Sequence, residues 1–66
     1  MKEFRIRYEL ETAMGNKVIH AVVCKPEKLN SSLDLVAKVG YRLVGIDRMM
    51  LDDGEPKAWD VLKEYT

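Results

Sequence analysis

Residues 3–12, EFRIRYELET, alternate without a break: Phe4, Ile6, Tyr8 and Leu10 fall on one side of an extended chain, and Arg5, Arg7, Glu9 and Glu11 on the other. This pattern predicts an amphipathic strand. Gly15-Asn16 follows, a pair suited to the positive backbone angles of a two-residue hairpin turn, so KVIHAVVCK at 17–25 reads as the second strand of a hairpin. A two-residue turn sets Leu10 opposite Ala21, Tyr8 opposite Val23 and Thr12 opposite Ile19, while a three- or four-residue turn would change these partners or bring a bulge. Ile19, Ala21 and Val23 then belong to the core. His20, Val22 and Cys24 lie beside Glu11, Glu9 and Arg7 on the second face, with Val18 near the turn. The second strand is therefore apolar on both faces, where the first is charged on one.

Pro26 ends that strand, and PEKLNSSLDLVAKVG carries apolar residues at 29, 33, 36 and 37 and at 35 and 39, which predicts a helix over about 30–39 with an extra turn from Pro26. Ser31 followed by Asp34 resembles a capping arrangement. Gly40 suits a left-handed close of the helix, and Lys38 suits its last turn. YRLVGIDRMML at 41–51 reads as a third strand, with either Val44 and Ile46 toward the helix or a bulge at Gly45 that switches faces. A right-handed crossover through the helix allows it to run parallel to the first or the second strand.

In DDGEP, Asp53 is a candidate helix cap and Pro56 suits a first helical turn. Ala58, Val61, Leu62 and Tyr65 then fall at helical spacing, with Trp59 at the stripe's edge. The same residues also alternate as a strand turned through Asp53-Gly54; the helix is the expectation adopted. The order is strand, strand, helix, strand, helix: a single α+β domain over 1–66 (ββαβα) with a three-stranded sheet under helical cover.

Composition narrows what such a domain does. At 66 residues, 47% hydrophobic and 33% charged, the chain has room for one thin core. Domains of this size bury only about 60% of the surface their unfolded chains expose, and oligomerisation is a common remedy. Eleven basic residues balance eleven acidic ones, so no net field draws the chain toward nucleic acid or anionic membrane. The longest uncharged stretch, Val18 to Cys24, is far shorter than the roughly 20 residues that span a bilayer. One Cys excludes an internal disulfide, and no charged segment followed by a long apolar run opens the chain, so a cytoplasmic setting is expected.

No catalytic, metal-binding or cofactor-binding residues are expected. Cys24 and His20 lie four apart on one strand face, roughly 13 Å at strand rise, beyond reach of a shared proton or metal. Asp52, Asp53 and Glu55 lack the oxygen ligands a calcium loop requires at the positions of Leu51 and Met49. The glycines at 15, 40, 45 and 54 fit neither a dinucleotide fingerprint nor a phosphate loop, and Ser31-Ser32 sits in no nucleophile elbow.

What remains is a mixed apolar and charged sheet face, the composition of a protein interface. The candidate partner-binding residues are Arg5, Arg7, Val18, His20, Val22, Cys24 and Trp59. The expectation is a small non-catalytic, regulatory or accessory protein-binding module, open to self-association, of a size found among phage and mobile-element proteins. The bland alternative folds the last helix over this face, with Trp59 filling it. A second functional reading uses Arg5 and Arg7 to hold single-stranded nucleic acid, against which stand Glu9 and Glu11 on that face and the core orientation of Phe4 and Tyr8.

Overall fold

The structure, a computed structural model, describes residues 2–52, 55–56 and 58–65. Its elements run β1 (Lys2–Glu11), β2 (Lys17–Cys24), a 3-10 turn (Pro26–Lys28), α1 (Leu29–Val39), β3 (Arg42–Asp52), β4 (Glu55–Pro56) and β5 (Asp60–Glu64). They form a small α+β fold in which one helix accompanies a four-stranded antiparallel sheet of β1, β2, β3 and β5, with the two-residue β4 as a short addition at the end of β3. β2 pairs with β1 and β1 with β3, while the two-residue β4 and then β5 both pair with β3.

The hairpin closes through three residues instead of two. The Thr12 N–H donates to the Asn16 carbonyl (2.7 Å), the Gly15 N–H to the Thr12 carbonyl (2.9 Å) and the Asn16 N–H to Thr12 Oγ1 (3.1 Å), with Gly15 at φ 85°. This is a tight turn completed by a left-handed glycine that forms a bulge with Asn16. Leu10 consequently faces Val18 instead of Ala21, Tyr8 faces His20, Ile6 faces Val22 and Phe4 faces Cys24. The displacement is an odd number of residues, so every β2 side chain changes face relative to the expectation. Val18, His20, Val22 and Cys24 join the β1 residues that face the helix. Ile19, Ala21 and Val23, expected in the core, lie opposite Glu9, Arg7 and Arg5 and are exposed.

The helix begins at Leu29 behind the 3-10 turn at Pro26 and closes at Gly40, which takes φ 97° and donates its N–H to the Ala37 carbonyl, as its sequence implies. The Ser31–Asp34 capping arrangement does not form. The Ser31 hydroxyl donates instead to the Lys28 carbonyl (3.1 Å), and no side chain caps the first turn. Val36 is buried, and with Phe4, Ile6 and Ile46 it makes up the buried apolar side chains among the described residues. A core of this kind is thin even for a chain of this size.

β3 runs antiparallel to β1 along its length and therefore parallel to β2, but with β1 between them. Of the two arrangements open for this strand, the structure has a bulge next to Gly45: Gly45 faces Arg7 and Leu43 faces Tyr8, leaving Val44 as the extra residue. The C-terminal segment is the main correction to the element order. Residues 60–64 form a strand paired with β3, not a helix, and the Tyr65 N–H donates to the Val44 carbonyl (2.9 Å). Val61 and Leu62 stay exposed, and backbone pairing with the remaining edge of β3 satisfies the segment. The order is thus ββαβ followed by two short strands. Asp53 and Gly54, read as a cap and a turn, lie outside the described residues.

Candidate interaction surface

The sheet face turned away from the helix has a fully buried charge at its centre. Asp47 of β3 is opposite Arg5 of β1 and beside Arg7. Arg5 Nε donates to Asp47 Oδ2 at 2.8 Å, while Arg7 donates from Nε to Oδ2 at 2.9 Å and from Nη2 to Oδ1 at 3.0 Å. Arg7 Nη2 also pairs with Glu64 Oε1 of β5, and Arg42 pairs with Glu9. Trp59 lies against the Arg5 guanidinium, 4.5 Å from its ring centroid. Two arginines and two carboxylates thus neutralise one another around an Asp47 that has no exposed surface.

Burial alone would push the Asp47 carboxyl up, but hydrogen bonds from Arg5 and Arg7, and then their charges, outweigh it and hold it below the usual aspartate range. The Arg7 guanidinium is pushed up by its bond to Glu64 and then by Asp47. Glu9 is lowered by its bond to Arg42. Because folded Asp47 holds its proton less tightly than the unfolded chain does, the unfolded state binds more protons in acid. The stabilisation is complete above the unfolded value of about 4 and is lost as pH falls through the folded one. Urea midpoints are therefore expected to stay level from neutral pH down to about pH 5 and to fall below about pH 4. Midpoints that kept rising to pH 3 would contradict the assignment.

The second feature is the free edge of β2. On one side of it Ile19 and Val23 stand exposed on the charged face. On the other, an apolar groove of about 170 Å³ runs between β2 and α1, lined by Tyr8, Val22, Ser32, Leu35, Val36, Val39 and Tyr41. Tyr8 and Tyr41 stack within it, centroids 5.2 Å apart at 8°, and His20 tilts against Tyr8 at 6.1 Å, in place of the expected Glu11 partner. The helix shows this groove a second apolar stripe, Leu35 and Val39, one turn apart and both exposed.

The seven residues singled out from sequence are therefore divided between two faces. Arg5, Arg7 and Trp59 meet on the open face, whereas Val18, His20, Val22 and Cys24 lie on the helix side. Trp59 does reach the second face, but over Arg5 and from the segment before a strand; it does not cover Val22. The aliphatic residues beside Arg5 and Arg7 are Ile19, Ala21 and Val23, which a two-residue turn had assigned to the core. Asp47, the hub of the network, carried one weak sequence signal, a carboxylate in the interior of a strand, where Asp is depleted; that it faces Arg5 and Arg7 emerges only from the pairing of β1 with β3.

Chemically, both Asp47 oxygens accept guanidinium donors, three in all, and the side chain has no exposed surface, so its charge is engaged in holding the sheet. Among the described residues, no three His, Cys, Asp or Glu side chains gather as a metal site would require, and no helix is long and apolar enough to cross a membrane. The arrangement offers a charge-neutral plate bordered by apolar side chains and by a strand edge that is unpaired among the described residues. Comparison with protein-family models, with curated proteins and with solved structures finds no match to this chain.

Proposed function

We propose that this chain is a non-catalytic protein-binding module that engages its partner through the β2 edge and the apolar side chains on both sides of it. The observation that carries this reading is the contrast between the two edges of the sheet. β5 is five residues long, carries Asp60, Lys63 and Glu64, and shifts register along β3; β4 includes a proline. Such features blunt an edge against unwanted pairing. β2 has eight residues, no charge between Lys17 and Lys25, no bulge within its pairing, and exposed aliphatics on both faces. A strand left bare in this way fits recognition by strand addition. A cytoplasmic setting belongs to the same proposal and agrees with the free thiol of Cys24.

The same geometry weighs against the single-stranded nucleic-acid reading. Arg5 and Arg7 are committed to Asp47 and Glu64, Trp59 is committed to Arg5, and Glu3, Glu9, Asp47 and Glu64 put as much negative as positive charge on that face. In affinity capture from host extract, the wild-type chain is expected to retain a protein at about 0.5 M salt that an Ile19→Lys/Val23→Lys variant loses, because apolar contacts are not screened. A fluorescein-labelled oligonucleotide is expected to show no anisotropy change even at low salt. A rise that vanished steeply with salt and with Arg5→Gln would overturn the proposal in favour of nucleic acid.

A further inference from the structure

We infer that the occupant of the β2 edge is a second copy of this chain, paired antiparallel through β2 about a two-fold axis at Ala21. The inference rests on the reading of that edge as a binding surface and adds the identity of the partner. Its first support is the direction of the backbone. The Thr12–Asn16 hydrogen bond sets the phase of the hairpin ladder, and alternation from it turns the groups of Val18, His20, Val22 and Cys24 toward β1. The N–H and C=O groups of Ile19, Ala21 and Val23 therefore face outward. Two such edges related by a two-fold axis at Ala21 set Ile19 against Val23 and Ala21 against itself, with about six backbone hydrogen bonds between them.

The side chains permit this register along the whole strand. KVIHAVVCK reads nearly the same in both directions: Val18 meets Cys24, Ile19 meets Val23 and His20 meets Val22 of the second copy. No charge enters the seam. Only Lys17 and Lys25 meet, at its ends, and Lys17 already lies opposite Glu11 in its own hairpin. Even-numbered residues stay on the helix side in both copies, so the two grooves join and the Leu35 and Val39 stripes approach across the axis.

The area also suffices. Ile19, Val22, Val23, Leu35, Val39 and Tyr41, between 37% and 62% exposed, all lie along this side of the molecule. At ordinary side-chain sizes they expose on the order of 500 Å² per copy, so pairing removes on the order of 1,000 Å² before backbone is counted, close to the lower bound of about 1,200 Å² for a stable interface. A chain whose described core holds four buried apolar residues has a physical need for that burial.

Sedimentation velocity from about 5 to about 500 µM is expected to give a mass near 15 kDa, twice the 7.6 kDa chain, and the dimer is expected to tighten with salt as the terminal lysines are screened. Ala21→Pro, which removes only an outward N–H, and Ile19→Lys are each expected to give a monomer with the wild-type far-UV spectrum. The register has its own readout. Val18 and Cys24 of the second copy form a non-hydrogen-bonded pair with Cα atoms about 4.5 Å apart, within disulfide reach, so Val18→Cys is expected to cross-link through Cys24 under mild oxidation.

A wild-type chain that stays at 7.6 kDa throughout overturns the inference. A dimer that survives Ile19→Lys, or that does not cross-link in Val18→Cys, also overturns it. These results are read on the chain alone. A strict monomer removes the second copy as occupant and leaves the edge open to a different protein, on which capture from extract reports separately.

Discussion

Replacing Asp47 with Ala is expected to cost about 2–4 kcal/mol of folding stability, measured as the change in urea unfolding free energy by circular dichroism. The substitution leaves Arg5 and Arg7 adjacent, with Glu64 as the one remaining carboxylate of the group. Removing one partner of a buried ion pair costs about 3–5 kcal/mol when the other is left fully buried. Here the guanidinium side chains keep 31% and 22% of their surface, so water recovers part of the loss and the lower range applies. A core this small rarely supplies more than about 3–5 kcal/mol in total, so the variant should be largely unfolded at 37 °C. Asp47→Asn should fall between, since the amide keeps an acceptor and loses the charge. A loss below about 1 kcal/mol for Asp47→Ala would mean that the network is decoration on a sheet held by other forces. Replacing Asp47, Arg5 and Arg7 together with apolar residues of similar size should cost less than Asp47→Ala alone, because no unpaired charge remains.

The network also shows where sequence reasoning reaches its limit. The amphipathic alternation of β1, the helix closing at Gly40 and the α+β class follow from local pattern, whereas the bulge in β3 was one of two arrangements that local pattern allowed. The face of β2 was not local in that sense. It turned on whether Ala13, Met14 and Gly15 or only Gly15 and Asn16 form the loop, and a two-sided apolar strand carries no alternation to fix the register. Choosing the shorter turn moved Ile19, Ala21 and Val23 into the core and placed Val18, His20, Val22 and Cys24 on the open face. The C-terminal segment failed for a related reason. Val61, Leu62 and Tyr65 fit a helical stripe and a bulged strand equally well, and the unpaired edge of β3 that decided between them lies in another part of the chain. Arg5 and Arg7 were recognised as functional candidates, but their partner was not, because Asp47 comes within reach only once β1 and β3 pair.

Gly45→Ala is expected to destabilise the fold by about 2–3 kcal/mol, a large effect for one methyl group on a strand. Gly45 takes no positive φ, so the cost is steric. A Cβ there would press on Arg7 Nη2, stand 2.8 Å from Arg7 Cζ and 2.9 Å from the Lys63 carbonyl oxygen. The guanidinium lies flat over the glycine because it must reach Asp47 and Glu64 at once, and moving it aside weakens both pairs. The Lys63 oxygen belongs to the β5 backbone, which gives way only by loosening its pairing with β3. The two causes separate in a double-mutant cycle. With Arg7→Ala as background, Gly45→Ala should cost about 1 kcal/mol less than in the wild-type chain, the remainder reporting on Lys63. Costs that add within about 0.5 kcal/mol would show that Arg7 does not press on this position. The cycle also separates the Arg7 network from the proposed β2-edge interface: Gly45→Ala displaces the Arg7 guanidinium on the open face, and binding through the β2 edge, as proposed, is expected to be unaffected at temperatures where the variant stays folded.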